Sequence, residues 1–423
     1  MTDLDTPERG AVTGTGVRSR PRAALPALCV TQITGWGIVY YAFPALNPQI
    51  TTATGWPTGA TTAAFSAALL VSAVAGIRVG RIIDRHGPRT VMTTGSVLGV
   101  LSILIIASAP NLPVFIAGWL LAGLAMAGTF YQPAFAALTR WWAPDHVRAL
   151  TVVTLAGGLA STVFAPLTAA LADHLSWRAT YAVLALILAV VTIPAHALAL
   201  KAPWPEPSAP TAPHIDGGAE KVARTRPFRL LAATLTLSAF AVSAAVIALV
   251  PLMTERGYTS TEAAWALGLG GAGQTLGRTL YATLARRTSP TARTVTLVGL
   301  GALTTAALAV TPGPYALLLA LSVAAGTVRG NLTLLQATAV TDRWGTTHYG
   351  RLSGLLAAPT TTASAVAPFA GAAIAAPLGG HPQLFIALAA VSAAACLTGF
   401  STAPTRAGSS HGRTPGATRA SPR

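Results

Sequence analysis

Residues 80–90 read GRIIDRHGPRT, five charged or ionisable side chains set between two long runs of Ala, Val, Leu, Ile and Gly. The chain has 423 residues, 9% charged and 52% hydrophobic, with a mean hydropathy of +0.57. Soluble domains carry about 25% charged residues, so this chain holds more apolar surface than a soluble core could bury. A helix needs about 20 residues to cross a hydrocarbon layer of about 30 Å, and both flanking runs reach that length. A knot of charge between two such runs reads as a loop at a membrane face.

Outward from that loop, apolar stretches occupy 27–49, 59–82, 90–109, 113–138, 149–172 and 178–200. A second set occupies 229–252, 262–285, 293–310, 314–339, 351–376 and 382–402. The reading is an all-α membrane protein with twelve transmembrane helices in two six-helix bundles, residues 27–200 and 229–402. The break at 201–228 is polar, rich in Pro and Ala, and basic toward its end, which reads as a loose cytoplasmic linker. Residues 1–26 and 403–423 are polar, basic and rich in Gly, Ser, Thr and Pro, and read as disordered cytoplasmic tails. No cleavable signal peptide is recognised ahead of the first span, which then serves as the insertion signal.

With the N-terminus inside, only Arg178 and Arg256 of the 28 Lys and Arg residues fall in loops on the far side. Both termini are therefore expected to be cytoplasmic. The net charge of +16 and pI near 11.2 would suggest nucleic acid in a soluble chain, but here they follow from this bias, so no nucleic-acid partner is expected. Cys29 and Cys396 lie in different apolar spans without a Cys/His cluster. They read as buried free thiols, not as a disulfide framework or a metal site.

The second half repeats the first at nearly one offset. TGWPT (Thr54 to Thr58) matches RGYTS (Arg256 to Ser260), with 257 − 55 = 202. Arg140-Trp141 with Arg148 matches Arg343-Trp344 with Arg351 at an offset of 203. STVFAPLTAA (Ser161 to Ala170) matches SAVAPFAGAA (Ser364 to Ala373), aligning Pro166 with Pro368. A duplicated unit with an even number of spans gives two copies that enter the membrane from the same side.

Within this frame the opening loop falls between spans two and three, on the cytoplasmic face. There it resembles the signature of the major facilitator superfamily, roughly G-x-x-x-D-R-x-G-R-R/K, through Gly80, Asp84, Arg85, Gly87 and Arg89, with Pro88 where a basic residue is commoner. The resemblance implies the twelve-helix major facilitator fold and a latch holding the two halves together in the outward-facing state. Physically, Gly80 lets a neighbouring helix approach closely, and Asp84 is placed to balance the positive end of a helix in the other half. Arg85 and Arg89 can pair with acidic groups or lipid phosphate. An ordinary positive-inside loop explains the arginines but leaves Asp84 and the two glycines unexplained. The matching place in the second half, ATLARRTSPTAR (Ala282 to Arg293), lacks the acid.

Few ionisable groups lie inside the spans, where each costs about 2.5–3.5 kcal/mol on insertion scales and marks function by default. Arg278 sits in GQTLGRTLYA of span eight and Arg329 in AAGTVRGNLTLLQ of span ten, near the midplane. Arg78 is close enough to the loop to snorkel. A guanidinium is suited to a carboxylate, and the competing reading has both deeper arginines capping carbonyls or holding helices together. GWGIVYYAFPAL (Gly35 to Leu46), with Arg278 four residues after Gln274, resembles the monocarboxylate porter and oxalate:formate antiporter branch. In eukaryotic monocarboxylate porters a Lys follows YAFP, and an Asp precedes the Arg by four; the Arg carries the substrate carboxylate while the other two handle protons. Here those two positions are Ala45 and Gln274, so the resemblance implies an anion without proton coupling by that route.

Tyr40, Tyr41, Tyr131, Gln132, Asn331 and Gln336 are further polar groups able to face a central cavity or, equally, to join helices. Pro166 and Pro368, with Gly157 and Gly158 upstream, resemble a weakened antiporter signature in which Ala165 replaces the expected Gly. A mid-span Pro permits bending in a moving helix. Gly268, Gly270 and Gly273 spell GxGxxG inside span eight and read as helix packing, since no strand precedes them. No Walker loop, paired catalytic carboxylates or Ser/His/Asp group is present, so neither an enzyme nor a cofactor is expected.

The sequence thus points to a secondary active transporter that moves a small, monocarboxylate-like organic anion by alternating access. Its substrate-binding candidates are Arg278, Arg329, Gln274, Tyr40, Tyr41, Tyr131, Gln132, Asn331 and Gln336. The alternative is proton-coupled efflux of hydrophobic drug-like compounds, and a third reading is a non-transporting receptor on this scaffold. The expected partners are a small-molecule substrate, with or without a co-transported ion, and the lipid bilayer around a monomer. The Arg-over-Lys and Ala bias points to a GC-rich bacterial genome and hence to the plasma (inner) membrane.

Overall fold

The computed structural model describes residues 21–143, 145–205 and 218–402, and every regular element among them is helical. Span one, residues 24–54, is built from Ala24–Gly35, a π-helical turn Trp36–Tyr41, and Ala42–Thr54. Spans two and three are Thr58–His86 and Pro88–Ser108. Span four, Leu112–Trp141, is interrupted at Phe130, and span five, His146–His174, at Leu159. Span six is Trp177–Ala199. A short helix, Gly218–Arg224, then leads into span seven, Arg226–Glu255, and span eight, Ser260–Arg287. Spans nine to twelve are Pro290–Val310, Tyr315–Thr338, Tyr349–Ala375 and His381–Gly399, with the turn Thr341–Trp344 after span ten.

Among the described residues, nine helices are individually long and apolar enough to cross a membrane. The other three rods are span one, divided by its π turn, and spans eight and eleven, diluted by Gly, Thr and Arg. The duplication survives as geometry. Spans three and nine are both 21 residues long and start 202 apart (290 − 88 = 202), each opening on a proline at the first turn, where the missing N–H costs nothing.

The two arginines of the far loops cap matching helix ends. Arg178 Nη2 donates to the Ala109 carbonyl at 2.7 Å, and Arg256 Nη2 donates to the Leu308 and Ala309 carbonyls, both at 2.7 Å. A cation there meets the negative ends of spans three and nine. Their place outside the positive-inside bias is thus structural.

Three apolar cores order the molecule. One, at the inner end where the arginine-rich loops gather, draws on both halves: Ile83, Leu138, Leu150, Tyr281, Leu335 and Leu352 belong to it. The other two lie toward the outer end and belong to one half each, around Phe43, Trp119 and Trp177 in the first and Leu252, Leu318 and Phe385 in the second. The halves are therefore joined at the inner end and separate at the outer end.

Small residues set the closest helix approaches. Gly273, Gly277 and Gly330 each stand where a Cβ would come within 2.3 Å of a backbone carbonyl oxygen across the span eight and ten interface. The GxGxxG stretch is part of this packing stripe, although Gly268 itself has open space around it.

The helices outrun the apolar stretches, since span one begins at Ala24 and span four reaches Trp141. Of the loose segment expected over 201–228, residues 206–217 lie outside the described residues, and the two described ends are held in place. Trp141 Nε1 donates to the Pro203 carbonyl at 3.2 Å, Trp204 packs edge-on against Trp141 with centroids 5.7 Å apart, and Gly218–Arg224 is helical. The expected disordered tails lie outside the described residues, except for 21–26, which are described and enter span one. Both thiols are free, and they are half-buried, not buried as expected.

Candidate functional site

The stretch 80–90 is not the loop expected of it: it is the last turns of span two and the first turn of span three, with only Gly87 between them, and it meets the other half through backbone groups. Asp84 Oδ1 accepts the Gly350 N–H and Asp84 Oδ2 the Arg351 N–H, both at 2.8 Å. These amides lie in the first turn of span eleven, where N–H groups have no partner within the helix and the dipole favours an anion. One turn earlier, a Cβ on Gly80 would lie 2.0 Å from the Gly350 carbonyl oxygen, and one on Gly354 would lie 2.8 Å from that of Gly76. Glycine on both faces is what lets the two backbones touch. Gly87 turns the chain into span three at φ +80, and a Cβ there would also crowd the Trp204 ring at 3.2 Å.

Other members of the motif do different work. Arg89 Nε donates to the Ala197 carbonyl at 2.9 Å, tying span three to span six of its own half, and Arg85 is exposed. Beside the motif, a cation that bridges the halves is Arg140, donating to the Asp84 carbonyl at 3.0 Å and the Thr347 carbonyl at 3.2 Å, with its guanidinium 4.7 Å from the Trp204 ring centroid. Trp204 Nε1 also donates to the Asp84 carbonyl, at 3.2 Å. At the far end of the linker, Glu220 pairs with Arg351, whose amide Asp84 holds. The hydrogen bond from Arg351, then its charge, holds the Glu220 carboxyl below its ordinary pKa.

Above these contacts a cavity of about 230 Å³ opens between the halves. Trp36, Phe130, Tyr131 and Gln132 line it from the first half, and Thr333, Gln336 and Ala357 from the second. Through Thr333 and Gln336 it adjoins a second chamber of about 240 Å³, lined by Ser238, Ser243, Ser364 and Arg329. Arg329 is half-buried, and its Nε is enclosed without a hydrogen-bond partner. Gln132 Oε1 is likewise enclosed and unpartnered.

Arg278 is placed otherwise. It is 7% exposed and donates Nη1 to the Thr154 carbonyl of span five at 2.7 Å, across the two halves. Gly158 makes room for it, since a Cβ there would lie 2.5 Å from that Nη1; Gly157 does the same for the Tyr131 hydroxyl, which sits 3.5 Å from the same carbonyl. Tyr41 is within electrostatic reach of both Arg278 and Arg329. It lies on the π turn, a distortion common at functional sites.

The remaining candidates lie in packing positions. Tyr40 is wedged among Trp36, Tyr41 and Phe65. Asn331 donates Nδ2 to the Thr327 carbonyl of its own helix at 2.9 Å, beside Gly277. Gln274 meets span ten through its backbone carbonyl at Gly330. The side chains of Pro166 and Pro368 lie outside the described set. As backbone, position 368 falls within the unbroken helix Tyr349–Ala375, and the interruption of span five comes at Leu159, ahead of position 166. Sequence reasoning passed over Arg140, Trp204, Thr333 and the serines of the second chamber. Only Arg140 carried a signal, its recurrence as Arg343.

The comparisons fit this architecture. A segment of 140 residues is 29% identical to the uncharacterized MFS-type transporter YcxA of Bacillus subtilis (strain 168), covering 32% of this chain and 33% of that one. Another, of 134 residues, is 32% identical to an uncharacterized 38 kDa protein in a 23S RNA operon of Thermoproteus tenax, covering 32% and 36%. The chain thus spans about a third of the length of the curated relatives it matches. Among solved structures, the E. coli fucose:proton symporter FucP superposes with a TM-score of 0.72 at 14% identity, over 92% of this chain and 100% of that one. FucP in the outward conformation gives 0.69 at 15% identity, with the same coverage. The human organic anion transporter MFSD10 (TETRAN) gives 0.68 at 18% identity, over 90% and 100%. At these identities the likeness is one of fold. The family model described as Major Facilitator Superfamily matches residues 28–356 and 231–422, most of the chain, so with its twelve spans, duplicated halves and cavity between them the chain belongs to the Major Facilitator Superfamily, a family of secondary transporters and not of enzymes.

Proposed function

We propose that the protein carries a small organic anion across a bacterial plasma membrane by alternating access, as a monomer, with Arg329 as the anion's principal contact. The contacts around Asp84 then fasten the inner end in the outward-open state. The observation that carries the reading is a charge imbalance. Arg278 and Arg329 lie in span interiors, whereas every carboxylate among the described residues lies in a loop or in the first or last turn of a helix. A guanidinium at that depth costs about 2.5–3.5 kcal/mol on insertion scales, and an incoming carboxylate offsets this through charge-assisted hydrogen bonds. Both arginines have an enclosed Nε without a partner, but Arg329 lines the chambers. Arg278 is engaged by Thr154, which gives it the secondary part. The organic anion transporter among the structural neighbours is compatible with such cargo, at the level of fold.

A second reading, efflux of hydrophobic compounds, is favoured by the aromatic wall. Trp36 stacks on Phe130 with centroids 4.1 Å apart, and Tyr131 on Phe135 at 5.1 Å. The test is thermal stabilisation of the purified protein by organic acids and by uncharged aromatic compounds. Acids are expected to stabilise the wild type, with affinity about 100-fold weaker in Arg329→Gln and a smaller loss in Arg278→Gln. Stabilisation by uncharged aromatics, equal with and without Arg329, would replace the anion reading with the second one.

A further inference from the structure

We infer that the transported anion bears a short apolar tail, and that this tail enters a separate chamber within the C-terminal half, with the anionic group on Arg329. The inference rests on the anion reading and adds the shape of the cargo. The chamber has a volume of about 50 Å³ and lies among spans seven, eight, nine, ten and twelve. Arg329 and Val242 line both this chamber and the serine-lined one beside the central cavity. The guanidinium-bearing residue thus stands between a hydroxyl-rich space and an apolar one.

The walls are apolar in effect as well as in composition. Ala245, Leu249, Leu267, Leu308 and Phe385 are among the residues that line it. The two threonines present turn their hydroxyls to their own helix, Thr304 to the Leu300 carbonyl at 2.9 Å and Thr305 to that of Gly301 at 2.8 Å. One polar atom remains open: Ser322 lines the chamber at 2% exposure, and its Oγ has no hydrogen-bond partner. A water occupies about 10–15 Å³ of such space, so the chamber has room for roughly four carbon-sized atoms. A carboxylate with a tail of that size would place its charge where Arg329 needs a partner and its carbons where water gains little.

The test is a competition series on the purified protein with straight-chain carboxylates from acetate to octanoate, repeated on Arg329→Gln to correct for uptake by detergent. Affinity is expected to rise about fourfold for each added methylene, as for methylene transfer from water, and to level off after roughly four tail carbons. Ala245→Leu narrows the chamber and is expected to move that plateau to shorter acids. Ala325→Leu, a lining position on span ten, serves in its place should the first variant fold poorly. Equal affinity for all chain lengths, or a plateau unmoved in a folded Ala245→Leu protein, overturns the tail chamber while leaving the contact at Arg329 standing. Failure of every carboxylate to bind the wild type overturns both readings.

Discussion

The two interfaces that join the halves occupy matching places in the duplicated sequence and work in opposite ways. Span two meets span eleven through Gly76 and Gly80, whereas span eight meets span five through Arg278, the counterpart of Gly76 (278 − 76 = 202). In the first, backbones touch and a carboxylate accepts two amide protons. In the second, a long cation donates to one carbonyl. A contact between backbones has no slack, while a guanidinium on a flexible stem can let go and re-form elsewhere. Duplication supplied two equivalent seams: Gly80, Gly350 and Gly354 give one the geometry of a fastening, and Arg278 gives the other that of an adjustable contact.

The largest expected effect comes from Gly80→Ala. The added Cβ would lie 2.0 Å from the Gly350 carbonyl oxygen, a backbone atom, so spans two and eleven must part, at a cost of about 3 kcal/mol. Thiol labelling of Ala357→Cys from the inner side, in a background lacking Cys29 and Cys396, should rise sharply. An unchanged labelling rate would mean that the seam is not tight. Next comes Asp84→Asn, which leaves one span-eleven amide facing another donor, a loss of about 1–3 kcal/mol. Substrate turnover is expected to fall more than substrate affinity, and equal changes in both would contradict a fastening role. The smallest effect is that of Gly158→Ala. Its Cβ meets only the tip of Arg278, at 2.5 Å, which can bend aside without moving a backbone, at the cost of its bond to the Thr154 carbonyl, about 1.5 kcal/mol. A loss of stability as large as that from Gly80→Ala would erase the contrast between the seams.

Much of this was legible in the sequence, for reasons that also mark the limits. Hydropathy locates the part of each helix that crosses hydrocarbon, so the twelve spans could be counted, but not the turns that run on past the membrane, such as 139–141 of span four. The duplicated offset survives because loops and helix ends were copied together, as the matched bounds of spans three and nine record. Asp84 stands out as an acid in a basic stretch, but the amides of Gly350 and Arg351 that it meets leave no mark in a sequence. The partner of Arg278, a Thr154 carbonyl, is silent for the same reason. Trp204 sits in a proline-rich segment whose average composition reads as loose, and one indole against Trp141 and Arg140 is enough to pin that end. The chambers are voids between helices, and no single residue type announces a void.

The most direct test of the account is counterflow of a labelled short-chain carboxylate in vesicles reconstituted with equal amounts of wild-type and Arg329→Gln protein. The account predicts saturable exchange in the wild type and a loss of about 100-fold in the variant. Exchange at the wild-type rate in a folded Arg329→Gln protein would contradict it.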